Sequence, residues 1–116
     1  TGKGVEAGRT YSIDECRARL TADMLEAVEI VDKCQPGLPL EVLAAFSDAV
    51  YNIGPVVACD TGRSTAARLL AARRYAEACD QLLRWDRARV AGVMVALPGL
   101  TKRRAAERDV CLRGAA

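Results

Sequence analysis

The chain of 116 residues contains no histidine, and this absence excludes several kinds of site. Without an imidazole, a catalytic cysteine–histidine pair is impossible and a zinc site loses one of its two usual ligand types. The five cysteines, at positions 16, 34, 59, 79 and 111, also contain no C-x-x-C pair. We therefore expect neither a metal site nor a cofactor.

Aromatic residues and long apolar runs are scarce as well. Aromatics make up 4% of the residues although 51% are hydrophobic, and Ala, Leu and Arg are abundant. This composition is typical of closely packed helices. No apolar run approaches the roughly 18 residues that a membrane-spanning helix needs. The length suits one domain with one core, so we expect a single, mostly helical domain.

The net charge is weak, at +2 from 17 basic and 15 acidic residues. Such a balance does not point to nucleic acid, and we expect no nucleic-acid partner. The charges are nevertheless distributed unevenly, because acidic residues concentrate in the first third. From Arg63 onward, basic residues outnumber acidic ones about two to one. The second half of the chain therefore favours an anionic partner.

A long first helix is predicted from residue 12 to residue 34. Ser12 followed by Glu15 forms a capping-box pattern, which marks a helix start. Apolar residues then recur at spacings of three and four, and "QPGLP" ends the pattern after Cys34. We expect this helix to be the longest in the protein.

Four shorter helices are predicted to follow the first one. Their expected ranges are about 39 to 53, 64 to 73, 75 to 85 and 100 to 112, the last with Thr101 as its cap. Segment 86–99 carries mixed signals, and Val90 to Leu97 fits either a short strand or a helix. The overall expectation is an all-α fold for residues 12 to 113, with no sheet after residue 12.

Several short motifs, taken in order, resemble a known family. "YNIG", "ST" followed by "LL", "ACDQLLRW", "LPGLTKRRAAER" and "VCL" are similar to the C-terminal lobe of phage endolysins of the T4-lysozyme type, glycoside hydrolase family 24. The lambdoid, signal-anchor-release branch is especially similar. The resemblance implies a piece of a lysozyme-like α+β fold. It divides the chain into a loop remnant of an N-terminal lobe (1–11), a long interlobe helix (12–34) and a helical C-terminal lobe (35–116).

The family resemblance implies a muramidase that hydrolyses the bond between N-acetylmuramic acid and N-acetylglucosamine in peptidoglycan. Such an enzyme is exported to the periplasm or cell wall of the host bacterium, and it would contact a membrane only through an upstream anchor. The family's catalytic glutamate lies upstream of Thr1, and Glu6 does not match its spacing. Because glycoside hydrolysis needs a carboxylic acid, we expect this chain alone to be inactive. The alternative is a catalytically inactive lysozyme-like module that binds a saccharide or a protein.

Substrate contacts are implied at the corner after the second helix and on the last helix. Arginines on the last helix would meet the carboxylates of peptidoglycan stem peptides. A structural role is also open for several of these residues, with Asn52 and Gly54 as a helix stop and Ser64 as a helix cap, and both roles can hold at once. The candidate residues are Tyr51, Asn52, Gly54, Ser64, Thr65, Arg103 and Arg104.

The cysteines allow two interpretations from composition alone, namely buried free thiols or two disulfides with one thiol left over. The family resemblance favours the second interpretation. It implies the pairs Cys34–Cys59 and Cys79–Cys111, and it leaves Cys16 unpaired.

Overall fold

The structure is a computed structural model that describes residues 21–90 and 92–116. It is mainly helical, and this confirms the predicted fold class. A 3-10 turn, Leu82–Arg84, extends the fifth helix, and two strands form a small hairpin, β1 (Arg87–Val90) and β2 (Val93–Ala96). The helices are α1 (Ala22–Cys34), α2 (Leu40–Ile53), α3 (Val56–Cys59), α4 (Thr65–Ala71), α5 (Tyr75–Gln81) and α6 (Pro98–Ala115).

Helix α1 begins later than the sequence suggested. Thr21 is extended, with φ −67° and ψ 159°, and its side chain accepts a hydrogen bond from the amide of Met24. This cap prevents one unbroken helix from 12 to 34. The predicted start at Ser12 lies outside the described residues. Within the described part of the chain the longest helix is α6, with 18 residues, so the expectation that the first helix is the longest is not met there.

Helix α2 lies at the centre of the fold, between α1 and α6. Its buried face includes Val42, Phe46 and Val50, as the apolar spacing predicted. The helix ends at Gly54, whose φ of 91° is in the left-handed region that glycine tolerates. The Gly54 amide donates to the carbonyl of Val50, and Pro55 follows. The predicted stop is therefore confirmed.

The hairpin is the exception to the helical fold, and the expectation of no sheet after residue 12 was wrong. Strands β1 and β2 pair in antiparallel fashion, with Arg87 opposite Ala96 and Val90 opposite Val93. Gly92 has a φ of 83°, a conformation that a tight hairpin turn needs. Segment 86–99, in which the sequence fitted either a short strand or a helix, therefore forms strands.

Helix α6 begins at Pro98, before the predicted start after Gly99. Proline suits the first turn of a helix because its missing amide proton would have no partner there. Thr101 therefore lies inside the helix and is not its cap. Its hydroxyl is 3.0 Å from Asp86 Oδ2 and 3.1 Å from the carbonyl of Leu97.

In the part of the chain described, no helix combines the length and apolarity required to cross a membrane.

Both disulfides implied by the family resemblance are formed. Cys34–Cys59 joins the end of α1 to the end of α3, with the Cα atoms 5.5 Å apart. Cys79–Cys111 joins α5 to α6 across 5.7 Å between Cα atoms. Helix α3, which the sequence did not reveal, turns the chain back after Pro55 and brings Cys59 to α1. Cys16 lies outside the described residues.

Candidate substrate-binding site

Ser64 is a buried helix cap. Its hydroxyl donates to the carbonyl of Val57 at 2.7 Å and accepts from the amide of Ala67 at 3.1 Å. These bonds use its only proton and satisfy an amide at the start of α4. These contacts favour the helix-cap interpretation of Ser64, whose side chain is almost completely buried. Its contact with substrate stays a prediction.

Gln35 is a structural residue that the sequence analysis missed. Its side chain is buried at the end of α1, and its Nε2 donates to the carbonyls of Ala58 and Ala67, each at 3.0 Å. Together with the Cys34–Cys59 disulfide, it ties α1 to α3 and α4. A glutamine before "PGLP" looks like an ordinary loop residue, so only the packed chain reveals this role.

The exposed candidates do not share one pocket. Tyr51 lies with Ile30 and Pro55 along a shallow groove of about 260 Å³. Thr65 lines a different groove of about 350 Å³, together with Arg63, Arg84, Trp85, Arg87 and Met94. Trp85 is partly buried against the core and also borders this second groove.

Arg104 is completely buried and has no accessible surface in this structure. Its role in substrate binding stays a prediction. Its Nη2 donates to Asn52 Oδ1 at 2.9 Å, which joins α6 to the end of α2. It also pairs with Glu107, with Nε 2.9 Å from Oε1 and Nη2 3.1 Å from Oε2. The side-chain oxygen of Asn52 therefore already accepts a hydrogen bond from Arg104. Asn52 itself remains exposed on the surface.

Arg103 forms a second bridge between the same helices. Its Nη2 and Nε lie 3.0 and 3.3 Å from the two carboxylate oxygens of Asp48, in a two-pronged arrangement. About 40% of the Arg103 side chain remains exposed. We call Asp48, Asn52, Arg103, Arg104 and Glu107 the charge cluster. It borders a mostly apolar groove of about 430 Å³ between α1, α2 and α6.

The two carboxyl groups of the charge cluster have opposite pKa shifts. The pKa of Glu107 is raised to about 9, mainly by burial and also by its hydrogen bond with Asp48, whereas Arg104 acts in the opposite direction. For Asp48, burial alone would raise the pKa, but hydrogen bonds with Glu107 and Arg103 lower it overall. A protonated Glu107 that donates to an ionised Asp48 accounts for both shifts.

A raised carboxyl pKa is a property of catalytic acids, yet Glu107 does not fit that role. Only 5% of Glu107 is exposed to solvent, and its carboxyl oxygens face Arg104 within the charge cluster. We therefore regard Glu107 as a structural carboxyl group.

Among residues 21–90 and 92–116, no three Cys, Asp or Glu residues are grouped to hold a metal ion. The absence of a metal or cofactor stays a prediction.

Stability should fall as pH rises, because of Glu107. Between its ordinary value of 4.5 and about 9, the native protein holds one more proton there than the unfolded chain. The free energy of unfolding should then decrease by up to about 1.4 kcal/mol per pH unit. The pKa of Asp48 is lowered from its ordinary value of 3.8, so Asp48 affects the free energy of unfolding only at pH values below this window. Urea unfolding at several pH values measures the slope.

The matched variant for this pH dependence is Glu107→Gln, which keeps an uncharged side chain of similar shape. Its free energy of unfolding should vary much less between pH 5 and 9 than that of the unmodified protein, by the linkage relation. Equal slopes in the two proteins would show that another group titrates.

The comparisons with known proteins agree with this architecture. The family model for phage lysozyme matches residues 1–107. The chain belongs to the phage lysozyme family. The SAR-endolysin of bacteriophage PS119 is 37% identical over 115 residues, which cover 98% of this chain and 65% of the relative. The SAR-endolysin of Enterobacteria phage P21 is 35% identical, over 98% of this chain and 66% of the relative. This phage lysozyme family member thus spans about two thirds of the length of these relatives.

Solved structures with the same fold include two endolysins and one muramidase domain. The endolysin from Escherichia coli O157:H7 phage FAHEc1 has a TM-score of 0.71 and 25% identity, covering 93% of this chain and 67% of that one. The muramidase domain of SpmX from Asticaccaulis excentricus has a TM-score of 0.69 and 27% identity, covering 93% and 72%. The secreted inactive form of P1 phage endolysin Lyz has a TM-score of 0.68 at 22% identity, covering 99% and 78%, and it supports the fold alone.

Proposed function

We propose that this phage lysozyme family member is the C-terminal part of a muramidase that cleaves the N-acetylmuramic acid–N-acetylglucosamine bond of peptidoglycan during host cell lysis. The main support is the match to the phage lysozyme family model over residues 1–107. The similarity to relatives named SAR-endolysins adds to it. The substrate would be the glycan strand, and the site of action the periplasm or cell wall of the host bacterium. The absence of a nucleic-acid partner stays a prediction.

The catalytic acid would come from a segment upstream of Thr1. Hydrolysis needs a carboxylic acid that protonates the leaving oxygen, and a second group that stabilises the sugar cation. Glu107 has a raised pKa but is buried within the charge cluster, which keeps it from a glycosidic oxygen. This chain would instead provide one wall of the saccharide site.

Asn52 is the residue best placed to contact the glycan. Because Arg104 donates to its Oδ1, the side-chain amide group has a defined orientation and its two N–H donors remain for a substrate carbonyl or hydroxyl. Arg104 would then act as a positioning residue, behind the surface. Tyr51, Gly54 and Thr65 would extend the same wall, and the exposed part of Arg103 would meet stem-peptide carboxylates.

A turbidity-clearing assay on peptidoglycan tests the proposal. We expect the 116-residue chain to show no clearing. A chimera that carries the N-terminal third of the phage PS119 SAR-endolysin before Thr1 should clear the suspension. In that chimera Asn52→Ala should lower the rate by about tenfold, as expected for losing a hydrogen bond to substrate. Asp109→Ala, an exposed site on α6, is the control.

The alternative is a catalytically inactive lysozyme-like module that binds a saccharide or a protein. It predicts that the chimera pellets with insoluble peptidoglycan and yet does not clear it. Clearing by the isolated chain at the rate of an intact lysozyme would contradict our assignment of the acid to an upstream segment.

A further inference from the structure

The second strand of the hairpin exposes apolar side chains in the part of the chain that the structure describes. Val93, Met94 and Val95 are 63%, 51% and 39% exposed, and every residue of β2 faces solvent. The two strands pack mainly against each other. A two-stranded hairpin is marginally stable in water by itself, and its outward face is normally polar. These residues therefore form a surface suited to an apolar partner.

The sequence around the hairpin turn is equally apolar. No charged residue occurs from Val90 to Thr101. Hairpin turns in water usually contain Asn, Asp or another polar residue, whereas here the strand pairing ends at Val90 and Val93. The end of the hairpin thus has a composition that favours removal from water.

The base of the hairpin is basic. Arg84 and Arg87 are exposed and share a groove with Trp85 and Met94. Within residues 21–90 and 92–116, neither guanidinium group has a carboxylate at ion-pairing distance. An apolar end above exposed arginines is complementary to a surface with anionic groups outside and hydrocarbon beneath.

We propose that this hairpin binds the surface of an anionic phospholipid membrane. Val93 and Val95 enter the boundary between headgroups and acyl chains, and Arg84 and Arg87 meet lipid phosphates. The strands, about 13 Å long, are sufficient for insertion to the roughly 5–10 Å depth of interfacial elements. Trp85 at the base suits the headgroup region. Membrane contact is then not restricted to an upstream anchor.

A second copy of the chain is a weaker candidate for this surface. A symmetric pair of hairpins would bring the two sets of arginines together, and like charges that face each other are destabilising. A membrane with anionic headgroups covers the apolar residues and neutralises the arginines at once. The charge complementarity therefore favours the membrane.

Vesicle sedimentation with the oxidised 116-residue chain tests the membrane proposal. The protein should pellet with vesicles made of equal parts phosphatidylcholine and phosphatidylglycerol, and should stay in solution with phosphatidylcholine alone. Added salt should weaken binding, because it screens the arginines. Trp85 is the only tryptophan, so its fluorescence should shift to shorter wavelength on binding. Equal binding to neutral vesicles would overturn the role of the arginines.

Variants locate the binding surface. Val93→Asp combined with Val95→Asp should lower partitioning at least about tenfold. Arg84→Ser and Arg87→Ser should each lower it by about fivefold. Leu40→Asp and Arg113→Ser, at exposed sites outside the hairpin, are the matched controls, and circular dichroism checks that all variants fold. Unchanged binding by the Val93 and Val95 variant would overturn the proposal, as would self-association that this variant abolishes without any vesicle binding.

Discussion

Replacing Arg104 with methionine should destabilise the protein by about 3 kcal/mol, because each polar group that is left without its hydrogen-bond donor costs about 1 to 3 kcal/mol. Methionine keeps much of the apolar stem of arginine but donates no hydrogen bond. Asn52 Oδ1 and the Glu107 carboxyl group would then lose the donor that lies 2.9 to 3.1 Å away. Urea unfolding at neutral pH, followed by circular dichroism, measures the loss.

A double-mutant cycle separates this buried pair from simple loss of packing. Glu107→Met combined with Arg104→Met replaces both polar partners by apolar side chains, which is less costly than leaving one of them unpaired. The two single losses should therefore exceed the double loss by about 2 kcal/mol. Arg113→Met, on the exposed part of α6, should change stability by less than about 0.5 kcal/mol. Additive losses at positions 104 and 107 would contradict the coupling.

Reduction of the disulfides should have the largest effect of all. The Cys79–Cys111 bridge spans 32 residues and the Cys34–Cys59 bridge 25 residues. In the chain-entropy model these loops correspond to about 3.7 and 3.5 kcal/mol. The sum, about 7 kcal/mol, is comparable with the total stability of a typical domain of 5 to 15 kcal/mol. We therefore expect the reduced protein to be largely unfolded at 37 °C or in mild denaturant.

Paired substitutions assign the loss to each bridge. Cys34→Ala with Cys59→Ala should cost about 3.5 kcal/mol by the same model. Cys79→Ala with Cys111→Ala should cost more, because both cysteines are completely buried and the smaller side chains leave a cavity. Urea unfolding with and without reductant is the measurement, and each double variant should show about half of the response to reductant. An unfolding curve that reductant does not move would rule out both bridges as stabilising elements.

Helix ends were predictable where local chemistry decides them. The stop at Gly54–Pro55 needs only a residue that tolerates positive φ and a residue that cannot continue a helix. The late start of α1 at Ala22 was missed because Thr21 and Ser12 both carry cap-forming hydroxyl groups. The hairpin was missed because segment 86–99 combines apolar strand residues with Gly92 and Pro98, and pairing between two strands is not visible in a local pattern.

Composition, apolar spacing and turn residues by themselves determined a mainly helical fold. The ordered motifs, through their resemblance to phage endolysins, implied the family and both disulfide pairs. The tertiary structure alone decided which polar side chains are accessible. Arg103 and Arg104 are adjacent in sequence and chemically identical, yet successive residues point about 100° apart around a helix. Packing of α6 against α2 therefore leaves Arg103 partly in solvent and buries Arg104 against Asn52 and Glu107. No local pattern contains that difference, because burial depends on a helix that lies some fifty residues away in the chain.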